Sequence, residues 1–161
     1  DPLDEGTEMG PLSSVQARDD MLDQIARAER SGARRLFGGE AIDRPGAWMT
    51  PAILTDIPRD APVMREEFFG PVAMAFKAAD LDEAIALANA IPFGLGSSVW
   101  TNDPAEQDRF VREIEAGMVA VNQMLVSDPH VPFGGIKRSG HGRELSAAGL
   151  HEFMNRKSVM L

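Results

Sequence analysis

Two stretches of the chain concentrate the residue types that do chemistry. Glu66-Glu67-Phe68-Phe69-Gly70-Pro71-Val72 sets adjacent carboxylates beside two aromatic rings. Pro132-Phe133-Gly134-Gly135-Ile136-Lys137-Arg138-Ser139-Gly140-His141-Gly142-Arg143-Glu144 threads glycines between cations and hydroxyls. A glycine-rich loop that opens a helix can bring backbone N–H groups up to an anion. The order here is not the phosphate-cradling G-x-x-x-x-G-K-[ST], because Lys137 precedes Ser139 by two and lacks the spaced glycine. On residue types alone, a tight structural loop and a ligand-holding loop both stay open.

Other chemistries are excluded more firmly. The chain has no cysteine, so disulfides, cysteine-zinc sites and thiol catalysis are all absent from it. His130, His141 and His151 lack metal-ligand spacing and acidic partners nearby in sequence, and no metal is expected. Asp128, Ser139 and His141 are the residue types of a hydrolytic triad, but Ser139 sits in no nucleophile elbow. The formal net charge is −9 with no Lys/Arg-rich run, which argues against nucleic acid as a partner. Acids between Asp80 and Ile91 and between Asp103 and Glu115 read as solvated helix faces, and the dispersed methionines as core filling.

These groups need a scaffold, and the composition supports one. Of the 161 residues, 43% are hydrophobic, enough for a packed core, while no apolar run reaches the roughly 18 residues of a membrane span. A cytoplasmic protein is the expectation. The polar start at Asp1, without a methionine, reads as a cut. A helix is predicted from about Ser14 to Ser31, capped by Ser13 with Gln16, buried through Leu22, Ile25 and Ala26, and stopped by Gly32. Arg35-Leu36-Phe37 reads as a short strand, and Trp48 to Ile57 as extended, with Ile53 and Leu54 in the core.

The centre of the chain is more explicit. Val72–Lys77 predicts a strand, and Asp80 with Glu83 predicts a helix start with Leu81, Ala84, Ile85 and Ala88 buried. Ser97–Thr101 predicts a second strand. A helix capped by Asp103-Pro104 follows, with Phe110, Val111 and Ile114 inward and Gly117 as its stop. Met118–Val121 is a third strand, Leu145–Asn155 a helix, and Lys157–Leu161 a last strand. Strand, helix, strand, helix, strand with short links predicts an α/β fold: a parallel βαβ sheet with flanking helices. Ligands of such sheets bind at the loops after the strands, and the longest of those loops is Asn122–Arg143.

Together, and in this order, the two stretches resemble the E-x-F-G-P-V and P-F-G-G-x-K-x-S-G-x-G-R-E signatures of the aldehyde dehydrogenase superfamily. The resemblance runs from Gly10-Pro11-Leu12 through Phe93-Gly94-Leu95 and Asn122 to the end of the chain. It corresponds to about the last third of a family member, the C-terminal part of the catalytic domain. Residues 1–156 are then expected to be a partial catalytic domain and residues 157–161 a C-terminal oligomerisation strand.

The resemblance implies roles residue by residue. Glu67 matches the carboxylate that accepts from the nicotinamide ribose hydroxyls of NAD or NADP, and Phe69 the ring packed beside the nicotinamide. The bland alternatives are a solvated acid and a core aromatic. Phe133 matches an aromatic of the substrate channel. Relatives that oxidise quaternary-ammonium aldehydes often carry Trp there, so Phe disfavours that substrate class. Glu144 matches an acid that supports the proton path without touching the reacting atoms, while Lys137 and Arg143 look like braces of the loop and the subunit contact. Asn122 either lines the pocket or is an amide satisfied by backbone.

Ser127-Asp128-Pro129, Arg143-Glu144-Leu145-Ser146 and Glu152-Phe153-Met154-Asn155 look most like bacterial succinate-semialdehyde dehydrogenases. In those enzymes a serine at the place of Ser127 helps hold the substrate's distal carboxylate; a hydrogen bond that merely stabilises the loop is the alternative. The family's reaction starts with a cysteine thiolate attacking the aldehyde, passes hydride to the nicotinamide and hydrolyses a thioester. Nucleophile and general base are expected in a missing N-terminal part, so this chain alone is expected to be inactive, with no catalytic residue of its own. Its expected partners are that missing part, a small aldehyde and further copies of itself, but neither nucleic acid nor membrane. Another small aldehyde as substrate, or a non-catalytic binding or oligomerisation module, are the competing functions. Faces that meet the missing part are expected to expose an apolar patch.

Overall fold

Helix α1, Val15–Arg30, is the first long element of a computed structural model that describes residues 1–161. Its cap is Ser14, one residue later than predicted, and the Ser14 hydroxyl accepts from Ala17 N at 3.0 Å. That amide is one of the donors a first helical turn leaves unpaired. Gln16 takes no part in the cap; its amide donates to Asp20 one turn further on, at 2.7 Å. The end is as predicted. Gly32 takes φ 105, its N–H donates to Glu29 O, and Ala33 N donates to Ala28 O. This is the paired reverse bonding of a Schellman stop, in which a glycine tolerates the left-handed turn. The buried stripe is Met21, Gln24, Ile25 and Ala28, rotated from the predicted one, with Leu22 and Ala26 half-buried.

The chain divides into two compact units, Asp1–Lys77 and Ala78–Leu161. In the first, strand β1 (Arg34–Gly38) runs antiparallel to β2 (Ala52–Thr55), which pairs in parallel with β3 (Val72–Met74). Leu54 of the central strand, Ile25 of α1 and Val63 are the largest fully buried side chains, each contributing roughly 2 kcal/mol by burial. A 3-10 turn, Pro62–Arg65, lies against α1 and leads into the Glu66–Val72 stretch.

Strand β3 corrects one prediction. It is shorter than Val72–Lys77 and pairs with β2, not with the next strand. The run Ala52–Thr55, read from sequence only as extended, supplies a complete ladder partner through Ala52↔Val72 to Leu54↔Met74.

The second unit opens with helix α2 (Leu81–Asn89). Asp80 accepts from Glu83 N at 2.9 Å, and the Glu83 carboxylate accepts from Ala79 N at 2.7 Å, the reciprocal cap that the spacing predicts. Leu81 and Ile85 turn toward the core, whereas Ala88 is exposed, contrary to the predicted stripe. After β4 (Phe93–Gly94), strand β5 (Gly96–Val99), helix α3 (Pro104–Glu113) and strand β6 (Met118–Val121) form one βαβ unit, paired in parallel from Gly96↔Met118 to Val99↔Val121. Asp103 caps α3 by accepting from Ala105 N at 2.8 Å. The core of this unit is Ile85, Phe110 and Ile114, with Leu81, Val99, Ala116 and Val119 packed against it. Val111, predicted inward, is exposed.

Gly117 does not stop α3, which ends on Ile114. It precedes β6 where a Cβ would lie 1.9 Å from Gly134 O, so only glycine lets the two backbones approach. Strand β7 (Ile136–Lys137) pairs antiparallel with β4, and helix α4 covers Ser146–Glu152, shorter than predicted. Lys157–Leu161 forms no strand and is exposed along its length. A strand exists only against a partner edge, and nothing in the single chain pairs with this one. No helix is long and apolar enough to cross a membrane.

Replacing Gly117 by alanine forces the β6 approach and the Gly134 backbone apart. The expected loss is about 2 kcal/mol of stability, the range of overpacked interiors. Urea unfolding of Gly117→Ala against wild type measures it, and an unchanged midpoint contradicts the close-approach assignment.

Candidate functional site

Glu66 follows the 3-10 turn in extended backbone, at φ −99 and ψ 154. Successive side chains of extended backbone alternate in direction. Burial does alternate: Glu66 and Phe68 are partly covered, Glu67 and Phe69 exposed, Phe69 by 80%. The Arg27 guanidinium donates to both Glu66 carboxylate oxygens, at 2.7 and 2.9 Å. Gln24 Nε2 donates to Glu66 Oε2 at 3.0 Å and to the Glu67 carbonyl at 3.1 Å. The Arg27 hydrogen bonds hold the Glu66 carboxyl below its ordinary range, against an opposing push from burial. Arg27 is in turn raised, first by Glu66 and then by Asp23. The Glu67 carboxylate has no protein partner.

In the second unit the long loop folds back on itself. Phe133 and Glu144 exchange both backbone hydrogen bonds at 2.8 Å, bringing these two predicted residues side by side. Between them Ser139 Oγ accepts from Gly94 N at 3.0 Å, and Arg143 donates to Gly135 O at 3.0 Å and Gly142 O at 2.6 Å. Lys137 Nζ donates to Asn89 O at 2.8 Å and Ile91 O at 3.3 Å, and pairs with Glu115. A cation at the carbonyl end of α2 also complements the helix dipole. Of the loop's basic residues, Arg143 is thus spent on its own backbone and Lys137 on the carbonyls that end α2 and on Glu115.

Asn122 occupies the left-handed region at φ 54. Its side-chain amide accepts from Thr101 N at 2.9 Å and donates to Thr101 O at 3.0 Å, locking the end of β6 to the chain leaving β5. Ser127 is exposed and makes no hydrogen bond. Its neighbours Val126 and Asp128 line a cleft of about 480 Å³ with Met118, Leu125, Val131 and Phe133. Phe133 and Glu144 also border a second cleft of about 400 Å³ beside Ser139 and Glu152. Asp128 accepts from His130 N at 2.8 Å and sits 2.9 Å from His130 Nδ1, contacts that hold its carboxyl below the usual range.

The model of the aldehyde dehydrogenase family matches residues 1–159. The chain belongs to the aldehyde dehydrogenase family. It is 50% identical over all 161 residues to a probable succinate-semialdehyde dehydrogenase [NADP(+)] of Synechocystis sp., and 50% identical to a succinate-semialdehyde dehydrogenase [NADP(+)] 1 of Mycobacterium tuberculosis. It spans 36% and 35% of their lengths, about a third. Among solved structures it superposes with TM-score 0.95 on succinic semialdehyde dehydrogenase from Streptococcus pyogenes in complex with NADP+. That match has 42% identity and covers all of this chain and 35% of that one.

Within this aldehyde dehydrogenase segment, Glu67 and Phe69 lie in the first unit, and Asn122, Ser127, Phe133 and Glu144 in the second. Gln24 and Arg27, which hold the Glu66–Glu67 segment, escaped the sequence reading. An amide inside the stripe Met21-Gln24-Ile25-Ala28 was the available signal, since buried amides are bonded to something specific.

The Glu66 shift has a consequence for stability. A carboxyl depressed in the folded state stabilises above its ordinary value of 4.5, and that contribution is lost as pH falls through the lower folded value. Below pH 4.5, wild type is expected to lose stability more steeply than Glu66→Gln. Urea midpoints measured on both from neutral pH downward check the sign, and parallel curves refute it.

Proposed function

We propose that this chain is the C-terminal third of an NADP-dependent aldehyde dehydrogenase that oxidises succinate semialdehyde to succinate. The observation that carries this reading is the unpartnered Glu67 carboxylate beside the exposed Phe69 ring, on a segment otherwise held tightly by α1. A buried or ion-paired Glu67 could not accept from a ribose; this one is free to. The relatives half identical to the chain over its whole length, named for that substrate and NADP, supply the specificity.

In this reading Glu67 would accept from the two ribose hydroxyls on the nicotinamide side, and Phe69 would offer the nicotinamide an apolar ring to pack against. The bound dinucleotide supplies the hydride acceptor. Ser127 donates to the distal carboxylate of the substrate, a modest anion ligand that needs a stronger cation elsewhere. Phe133 walls the channel with an apolar face. Asn122 shapes the pocket rim through its lock on Thr101, since its amide is already committed. Glu144, with no protein partner for its carboxylate, supports the proton path. Aldehyde, water and NADP+ go to carboxylate, NADPH and protons. The nucleophile comes from outside this chain, which has no cysteine. Lys157–Leu161 serves as the oligomerisation strand once a partner edge is present.

A longer protein carrying this chain is expected to form NADPH from succinate semialdehyde and NADP+, and less readily to form NADH. The 161-residue chain alone is expected to fall short by on the order of a million-fold, the cost of removing a covalent nucleophile. NADPH absorbance reads both. Turnover of another aldehyde but not of succinate semialdehyde by the longer protein overturns the substrate.

A further inference from the structure

Residues 67–69 belong to no strand ladder, so what fixes them is the grip on Glu66 and on the Glu67 carbonyl. That grip comes from one face of α1. Gln24 lies in the buried stripe between Met21, Ile25 and Ala28, where an unbonded amide is costly. Both of its N–H donors are used on the same two residues, Glu66 and Glu67. Arg27, one turn on, closes a two-pronged fork on the Glu66 carboxylate, a geometry that sets orientation as well as distance. With Glu66 extended and held inward, exposure alternates along the segment, leaving Glu67 and Phe69 open while Glu66 and Phe68 are partly covered.

We infer that Gln24 and Arg27 are positioning residues for the cofactor, acting through Glu66 and the Glu67 backbone to present Glu67 and Phe69 on one face. The inference rests on the proposed role of Glu67. It adds a requirement that the ligand contact itself does not contain: two helix residues that touch no ligand set how well it binds. The Glu66 carboxylate is the rigid link. The Gln24 bond to the Glu67 carbonyl removes the remaining swing of the peptide plane.

The test is a double-mutant cycle in the longer, active enzyme that carries this chain, read as the NADPH dissociation constant by fluorescence and as KM for NADP+ against kcat. Gln24→Met keeps the volume and deletes both donors. It is expected to weaken NADPH binding and raise KM by about tenfold, with kcat changed by no more than about twofold, the pattern of lost cofactor binding without lost chemistry. Glu67→Gln is expected to weaken binding at least as much. The two together are expected to be no worse than Glu67→Gln alone, because positioning a group that is already disabled has no further effect. Should Gln24→Met fail to fold, the half-exposed Arg27→Met carries the same cycle. Additive losses in the double variant, or unchanged binding in both helix variants while Glu67→Gln weakens it, overturn the inference alone. Unchanged binding in Glu67→Gln overturns the role of Glu67 and this inference with it.

Discussion

Irregular backbone must find hydrogen-bond partners without the help of a ladder, and that constraint organises both units. Between Asn122 and Leu145 the second unit has one two-residue strand and little other regular structure. Arg143 meets two of this stretch's own carbonyls, while Lys137, Ser139 and Asn122 bond the main chain of the segments it crosses, at Asn89 and Ile91, Gly94 and Thr101. In the first unit Gln24 meets the Glu67 carbonyl, and Arg27 the Glu66 carboxylate beside it. Polar side chains engaged this way are unavailable for ligands. Glu67, Ser127 and Glu144 have no protein partners. The family resemblance assigns these three to ribose, substrate and proton path, and a fourth polar group, Asn122, to the pocket wall, where its amide is committed to Thr101.

The same bonds hold strained backbone in place. Asn122, Lys137, Leu145 and Ser146 all sit at positive φ without being glycine, at roughly 1 kcal/mol or more each. Asn122 is held by its two bonds to Thr101, and Lys137 by its ammonium in the carbonyls that end α2. Ser146 is held by its N–H to Pro129 O. One loop is therefore tied to β5, to α2 and to its own far end. Losing any of the three ties releases strain that favours the unlocked state, so the loop is ordered cooperatively and not residue by residue.

Much of this was legible in the sequence where one residue decides one structure. Asp80 with Glu83, Asp103 with Pro104, and Gly32 act within a turn of themselves, and all three behave as their spacing predicts. The family signatures were legible because their residues are contiguous. What escaped depends on partners distant in the chain. The pairing of β3 with β2 is a competition between edges, and a four-residue strand carries too little periodicity to declare it. Gly117 was misread because its reason lies at Gly134, in the folded loop. Gln24 was passed over because the 42-residue separation from Glu66 is invisible to helical periodicity.

The β5–β6 pair shows why the segment behaves as part of something larger. Two parallel strands share a single ladder, and both outer edges are left unpaired. Parallel strands occur almost only inside sheets covered on both faces, yet Trp100 just past β5 is 60% exposed, and Met124 and Val126 beyond β6 are exposed too. The Asn122 lock bridges the very ends of these two strands. A segment spanning about a third of its relatives thus carries a parallel ladder whose outer edges it does not itself pair, and the Asn122 lock ties the loop after β6 to the end of that ladder.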